Sequence, residues 1–156
     1  MWYDLDHHEF LSTIASKLGF KVCRWPVVWC KTSACLNQAA SYNFTKATEV
    51  CMVLRRSEDV TLANKQSTNF IVGPSVNSRS HPFHKPSYVW EKLINAVSYP
   101  GQTIVDPFAG SGSLILPAVK MERVPVATEI DDLIVYEGVK WLYQELNDKR
   151  FLDPLF

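Results

Sequence analysis

The sequence predicts an α/β fold, a parallel sheet with helices on its faces, and three observations carry that reading. From Lys85 onward the pattern alternates as helix, strand, helix, strand, helix. Within it, Thr103-Ile104-Val105-Asp106-Pro107-Phe108-Ala109-Gly110-Ser111-Gly112-Ser113 is a β-branched run ending on an acid, then a turn with two glycines, then the apolar segment Leu114 to Met121. Upstream, Phe20 to Trp29 and Thr48 to Arg55 read as further strands, the first rich in aromatic and β-branched residues. At 156 residues the chain suits one domain, 1–156, with length enough to bury a core. Within that domain the sequence divides into 1–56, a loop at 57–80, and 81–156.

The elements follow in order. Asp6 to Leu18 reads as a helix, since Phe10, Leu11, Ile14 and Leu18 recur at helical spacing, Asp6 can cap the start and Gly19 ends it. Phe20 to Trp29 is a strand in which Pro26 marks an edge or a bulge. Lys31 to Lys46 is polar and reads as a loop, and Thr48 to Arg55 as a strand able to pair antiparallel with the first. Glu58 to Ser80 holds Gly73, Pro74 and several Ser and Asn. It reads as a loop with a short extended piece at Phe70 to Val72, and is the best candidate for a mobile segment. Pro86 opens a helix with Trp90, Leu93, Ile94 and Val97 on one face. Tyr99-Pro100-Gly101 is a turn, Thr103 to Asp106 a strand, Ser113 to Met121 a helix, and Val124 to Glu129 a strand ending on an acid. Asp131 or Asp132 caps a last helix, with Val135, Val139, Leu142 and Leu146 on one face.

Composition narrows the classes. An apolar content of 47% argues against disorder, and no apolar run approaches the ~20 residues of a membrane span. Met1 to Glu9 is acidic and His-bearing, unlike a signal peptide. Net charge is zero overall, but the chain through Lys92 carries +4 and the remainder −4. The basic half can face phosphates, although an ordinary solvated surface also accounts for so small an excess. Cys23, Cys30, Cys35 and Cys51 form no Cys-x-x-Cys pair, and no histidine stands at zinc-ligand spacing from them, so no metal site is expected. They read as buried reduced thiols of a cytoplasmic protein.

The glycine-containing turn matches neither a Walker loop nor Gly-x-Gly-x-x-Gly. Asp106 before the glycines repels phosphate. It suits a ligand with a positive amine near the loop and a carboxylate that meets backbone N–H groups, and S-adenosylmethionine has both, plus a sulfonium. A tight strand-to-helix turn without a ligand is the plainer alternative. Glu129 lies 23 positions after Asp106, at the end of the next strand, where an acid accepts hydrogen bonds from ribose hydroxyls. Its plainer role is to cap the following helix. In His81-Pro82-Phe83-His84-Lys85-Pro86 two prolines stiffen the approach to a helix and present Lys85 at its start, a position that favours an anionic partner.

Together these features resemble the amino-methyltransferases of DNA, in the branch whose catalytic half precedes the cofactor half. The resemblance rests on His81-Pro82-x-x-Lys85-Pro86, Asp106-Pro107-Phe108-Ala109-Gly110-Ser111-Gly112 and Glu129. It extends to Gly19-Phe20, Trp29-Cys30-Lys31 and the Glu49 to Arg56 strand, and to short phage and mobile-element modules. It implies a Rossmann-like sheet, mostly parallel with one antiparallel edge strand. It implies S-adenosylmethionine as cofactor, with Asp106, Phe108, Gly110, Ser111 and Gly112 around its methionine part. Lys85 and Pro86 would lie beside it, Glu129 on the ribose and Ile130 against the adenine. DNA is the implied partner, with Arg24, Lys31, Arg79 and His81 as the contacts, and the target is the exocyclic amine of a flipped adenine or cytosine.

One departure matters. The family's Asp-Pro-Pro-aromatic tetrapeptide, or its Asn- or Ser-led form, holds the target amine by hydrogen bonds and stacks on the base. Asp106-Pro107-Phe108 belongs to the cofactor loop, and Asp153-Pro154-Leu155-Phe156 follows no strand. No residue is therefore assigned as catalytic. The central strand that would carry the motif is expected to be absent, which predicts a partner chain, a homodimer or a truncated gene product. The alternative function is a non-catalytic methyltransferase-like partner or scaffold. An NAD-type domain is disfavoured by Asp106 and the missing third glycine.

Overall fold

The structure, a computed structural model, describes residues 1–33, 44–75 and 84–147. Cys35, Arg79, His81, the Asp153-Pro154-Leu155-Phe156 tail and much of the 31–46 loop lie outside these residues. The chain divides into two compact units, Met1–Ser75 and Val76–Phe156, and the division falls inside the loop expected at 57–80.

The first unit contains β1 (Trp2–Tyr3), a single 3-10 turn (Leu5–His7), α1 (His8–Lys17), β2 (Lys21–Val22), β3 (Val27–Lys31), β4 (Thr48–Cys51), β5 (Leu54–Arg55) and β6 (Phe70–Gly73). Four strands form one sheet in the order β1-β4-β3-β6, and β2 pairs with β5 separately. β3 is parallel to β6 and antiparallel to β4, which is also antiparallel to β1. The antiparallel member is thus β4, second in the order and not at the edge.

The two expected upstream strands do pair antiparallel, but each is broken. Residues 23–26 link β2 to β3, whereas residues 52–53 link β4 to β5. The longer link contains Pro26, which has no N–H to place in a ladder. Trp29 is 2% exposed and stands opposite Glu49 and Ile71 in the register, with the Trp2 ring edge-on at 6.5 Å. By the register, Trp29 shares its face of the sheet with the buried Ile71 and Cys51, while Val50 is buried on the other face.

α1 begins later than expected, because Asp4 rather than Asp6 caps the preceding turn through its Oδ1, which accepts the Asp6 N–H. It ends at Gly19, whose φ of +81° suits a residue without Cβ. There Phe20 N–H donates to the Ala15 carbonyl and Gly19 N–H to that of Ser16, satisfying the last carbonyls of the helix. Ala15 is the buried residue of α1, while Phe10, Ile14 and Leu18 of the expected apolar stripe are exposed.

The second unit contains α2 (Ser87–Val97), β7 (Thr103–Asp106), α3 (Ile115–Lys120), β8 (Val124–Ala127) and α4 (Asp132–Asn147). This is the expected alternation. β7 and β8 are parallel, with Thr103 opposite Val124 and Asp106 opposite Ala127, and α3 makes the crossover. Ile94, Leu114 and Ala118 form the core, with Trp90, Ile104 and Met121 packed against it. Val89 and Ala96 replace Val97 on the buried face of α2, and Val97 is exposed. α3 starts at Ile115, two residues late, because the turns after Asp106 run through Leu114. β8 stops at Ala127, so Glu129 stands two residues beyond it.

Asp131 caps α4, its Oδ1 accepting from Leu133 and Ile134 N–H. Gly138 is the buried residue of that helix, while Val135, Val139 and Leu146 are exposed. The inward face of α4 therefore differs from its apolar stripe.

Candidate functional site

Two parallel strands end side by side in the second unit, and the chain beyond each is tied to the other. Thr128 N–H donates to the Asp106 carbonyl at 3.0 Å, Ala109 N–H to the Thr128 carbonyl at 2.9 Å, and Thr128 Oγ1 to the Pro107 carbonyl at 2.9 Å. These bonds form a cleft-edge platform at the carboxyl ends of β7 and β8, the place where α/β sheets hold ligands. Asp106 is half-buried there, and its Oδ1 accepts the Phe108 N–H at 3.2 Å.

Glu129 joins the two loops. Its Oε2 accepts the Gly110 N–H at 2.8 Å, and its Oε1 accepts those of Ile130 at 2.8 Å and Asp131 at 3.2 Å. Phe108 is 88% exposed and Ile130 97% exposed, although both are large and apolar. Apolar residues so open on either side of an acid-led loop fit a ligand with an organic body and a cationic centre.

Gly110 and Gly112 have φ of +55° and +73°, so the turn needs glycine at both. The serines are anchored in turn. His84 Nδ1 and Ser111 Oγ share a hydrogen bond of 3.0 Å, and the Trp90 Nε1–H donates to Ser113 Oγ at 3.0 Å. The His84 ring also meets Trp141 of α4 edge-on at 5.1 Å. A Cβ built on Gly138 would lie 2.9 Å from the Ser111 carbonyl oxygen, so α4 can approach the loop only because that position is glycine. Lys85 is half-buried and Pro86 is buried at the residue preceding α2. Sequence reading gave no role at the site to His84, Trp90, Gly138 or Trp141. An isolated glycine within the helical pattern was the available signal for Gly138. For His84 the signal was its place in a proline-flanked segment.

The DNA-contact candidates of the first unit differ from one another. Lys31 is paired with Glu49 and lies 5.0 Å from the Trp29 ring centroid, so its charge is already balanced. Arg24 is exposed, with its guanidinium 5.1 Å from the ring centroid of Trp25, itself 67% exposed. Arg79 and His81 lie outside the described residues. Among the described residues no group of His, Cys, Asp and Glu could hold a metal ion, and no helix is long and apolar enough to cross a membrane.

A sequence profile described as DNA methylase matches residues 2–140. The chain belongs to the DNA methylase family. The chain is 28% identical over 122 residues to the type II methyltransferase M2.DpnII of Streptococcus pneumoniae, covering 67% of this chain and 45% of that one. The chain spans less than half the length of the curated relatives it matches. Its fold is similar to that of M1.HpyAVI in complex with SAM, with a TM-score of 0.78, 20% identity, and coverage of 90% of this chain and 72% of that one. It is also similar to the cytosine-N4-specific PvuII DNA methyltransferase, with a TM-score of 0.74 at 17% identity, covering 98% of this methylase and 59% of PvuII.

Proposed function

We propose that this methylase binds S-adenosylmethionine at the ends of β7 and β8 and serves methyl transfer to the exocyclic amine of adenine or cytosine in DNA. The observation that carries the reading is the juxtaposition of Asp106, the two positive-φ glycines and Glu129 between the open side chains of Phe108 and Ile130. When bound, S-adenosylmethionine supplies an electrophilic methyl group on a sulfonium. Asp106 would attract the cationic ammonium end, and the glycine turn of 110–112 would let the methionine part approach the backbone. Glu129 would accept from the ribose hydroxyls, and Ile130 would cover the adenine. Lys85 and Pro86 would line the methionine side. A carboxylate at Asp106 disfavours a diphosphate, which separates this site from a dinucleotide site.

The two compact units correspond, on this reading, to the substrate-side and cofactor-side halves of one methylase domain. Arg24 and the adjacent Trp25 offer a cation and an open ring to DNA, joined by Arg79 and His81. No residue among the 156 is assigned to draw on the protons of the target amine. We place that role on polypeptide outside this stretch, with a partner chain or second copy as the proposed source. Isothermal titration with S-adenosylmethionine tests the cofactor site, and labelled methyl transfer to unmethylated DNA tests the reaction. Absence of binding at millimolar cofactor would overturn the reading.

A further inference from the structure

We propose that His84 is a positioning residue that sets the cofactor loop by holding the Ser111 hydroxyl. The inference rests on the S-adenosylmethionine reading above and assigns a role to a residue that reading does not use. Three structural elements converge on Ser111, which lies between the two positive-φ glycines and is only 3% exposed. Its side chain is held by His84 Nδ1 at 3.0 Å. Its carbonyl oxygen faces Gly138 so closely that no Cβ fits there. One residue earlier, the Gly110 amide is fixed by Glu129.

His84 is itself oriented. The Trp141 ring meets it edge-on, and Pro86, two residues on, fixes the backbone before α2. The imidazole therefore links α2 and α4 to the one hydroxyl inside the glycine turn. The turn of 110–112 can receive a ligand against its backbone only if its conformation is set before the ligand arrives. A turn with glycine on both sides of one residue otherwise samples many conformations, and ordering it on binding weakens affinity. The His84–Ser111 bond supplies that order in advance.

The test is calorimetric titration of the full chain with S-adenosylmethionine, on wild type, His84→Ala, His84→Asn, Ser111→Ala and the His84→Ala/Ser111→Ala double variant. Asparagine is a short amide able to replace Nδ1 near the same point. The expected result is a roughly tenfold loss of affinity in His84→Ala, about that of one hydrogen bond. His84→Asn should recover to within about threefold of wild type, and the double variant should be no weaker than the worse single variant. A His84→Ala that binds as wild type overturns the proposal, as do additive losses or a His84→Asn as weak as the alanine variant. If His84→Ala does not fold, His84→Asn against Ser111→Ala decides: matching losses overturn the proposal, and recovery in the asparagine variant supports it. Failure of wild type to bind cofactor sinks the site reading itself, and this inference with it. Normal wild-type binding with indifferent variants sinks the inference alone.

Discussion

Glu129 binds Gly110 through its side chain, Oε2 accepting the glycine N–H at 2.8 Å, while its other oxygen takes two amides at the start of α4. One carboxylate thus fixes the loop after β7 and the turn after β8. It performs the helix-side task that a plain acid would perform, and the proposed reading gives it the ribose diol as well.

Replacing Glu129 separates these tasks. Glu129→Gln keeps an acceptor oxygen for Gly110 but removes the charge and one acceptor, so affinity for S-adenosylmethionine should fall about tenfold with little loss of stability. Glu129→Ala leaves three amides without their acceptor and should lower both, with a stability loss of about 1–3 kcal/mol. Calorimetry and urea unfolding measure the two effects, and equal cofactor affinity in all three proteins would remove Glu129 from the ligand.

Gly138→Ala tests the approach of α4 to the loop. The added methyl meets backbone at Ser111, not the tip of a flexible side chain, so helix or loop must shift. Against the usual gain of about 1 kcal/mol for alanine over glycine in a helix, the variant should be destabilised by about 1–3 kcal/mol. It should also bind cofactor more weakly. A stabilised Gly138→Ala would show that the contact relaxes freely.

The alternation of the second unit and the place of its glycine turn were legible from the sequence, because β-branched runs, glycine turns and capping acids act locally. Asp106 at the end of β7 was placed that way. What faced inward was not legible. The stripes Phe10/Ile14/Leu18 and Val135/Val139/Leu146 have helical spacing, yet the buried residues are Ala15 and Gly138. Spacing reports which residues share a face, not which face packs. His84 escaped for a related reason: its partner is 27 residues away, and nothing local marks such a bond.

The Arg24–Trp25 pair and the Lys31–Glu49 pair should respond differently to DNA. Arg24→Ala should weaken DNA binding and reduce the salt dependence of log K by about one unit, the signature of one lost phosphate contact. Lys31→Gln should change the salt slope little, since Glu49 already balances that charge. Fluorescence anisotropy across a salt series measures both slopes. Equal slopes for Arg24→Ala and wild type would take Arg24 out of the interface.

Asp4 and Lys46 form an exposed ion pair with a direction in pH. The Lys46 hydrogen bond lowers the Asp4 pKa below its ordinary 3.8, helped by the Asp6 N–H, and the Asp4 bond raises that of Lys46. Asp4 therefore contributes stability above its unfolded pKa, lost as pH falls through the lowered folded value. Lys46 contributes below its unfolded pKa, and that is lost as pH rises through the raised one. NMR titration should place Asp4 below 3.8, with the shift shrinking in high salt. Both groups are solvent-exposed, so Lys46→Ala should return Asp4 toward its ordinary value with little change in stability at neutral pH.

Arg123 is a buried charge of the second unit, just before β8. It is 8% exposed, and its guanidinium donates to Ser98 Oγ at 3.1 Å, to the Ser98 carbonyl and to the Met121 carbonyl. Ser98 Oγ in turn donates to the Ile94 carbonyl at 2.7 Å, so one side chain joins the end of α2 to the turn between α3 and β8. That turn is tight, since Glu122 has φ of +63° and its carbonyl accepts the Gly101 N–H at 2.7 Å. Arg123→Ala removes three charge-assisted bonds and leaves buried acceptors without donors. The expected cost is about 3 kcal/mol in urea unfolding. Lysine carries the charge but cannot reach three acceptors in a planar fork, so Arg123→Lys should recover only part of the loss. Arg123→Met keeps the stem without the donors, and a Met variant as stable as wild type would show that the site needs bulk alone.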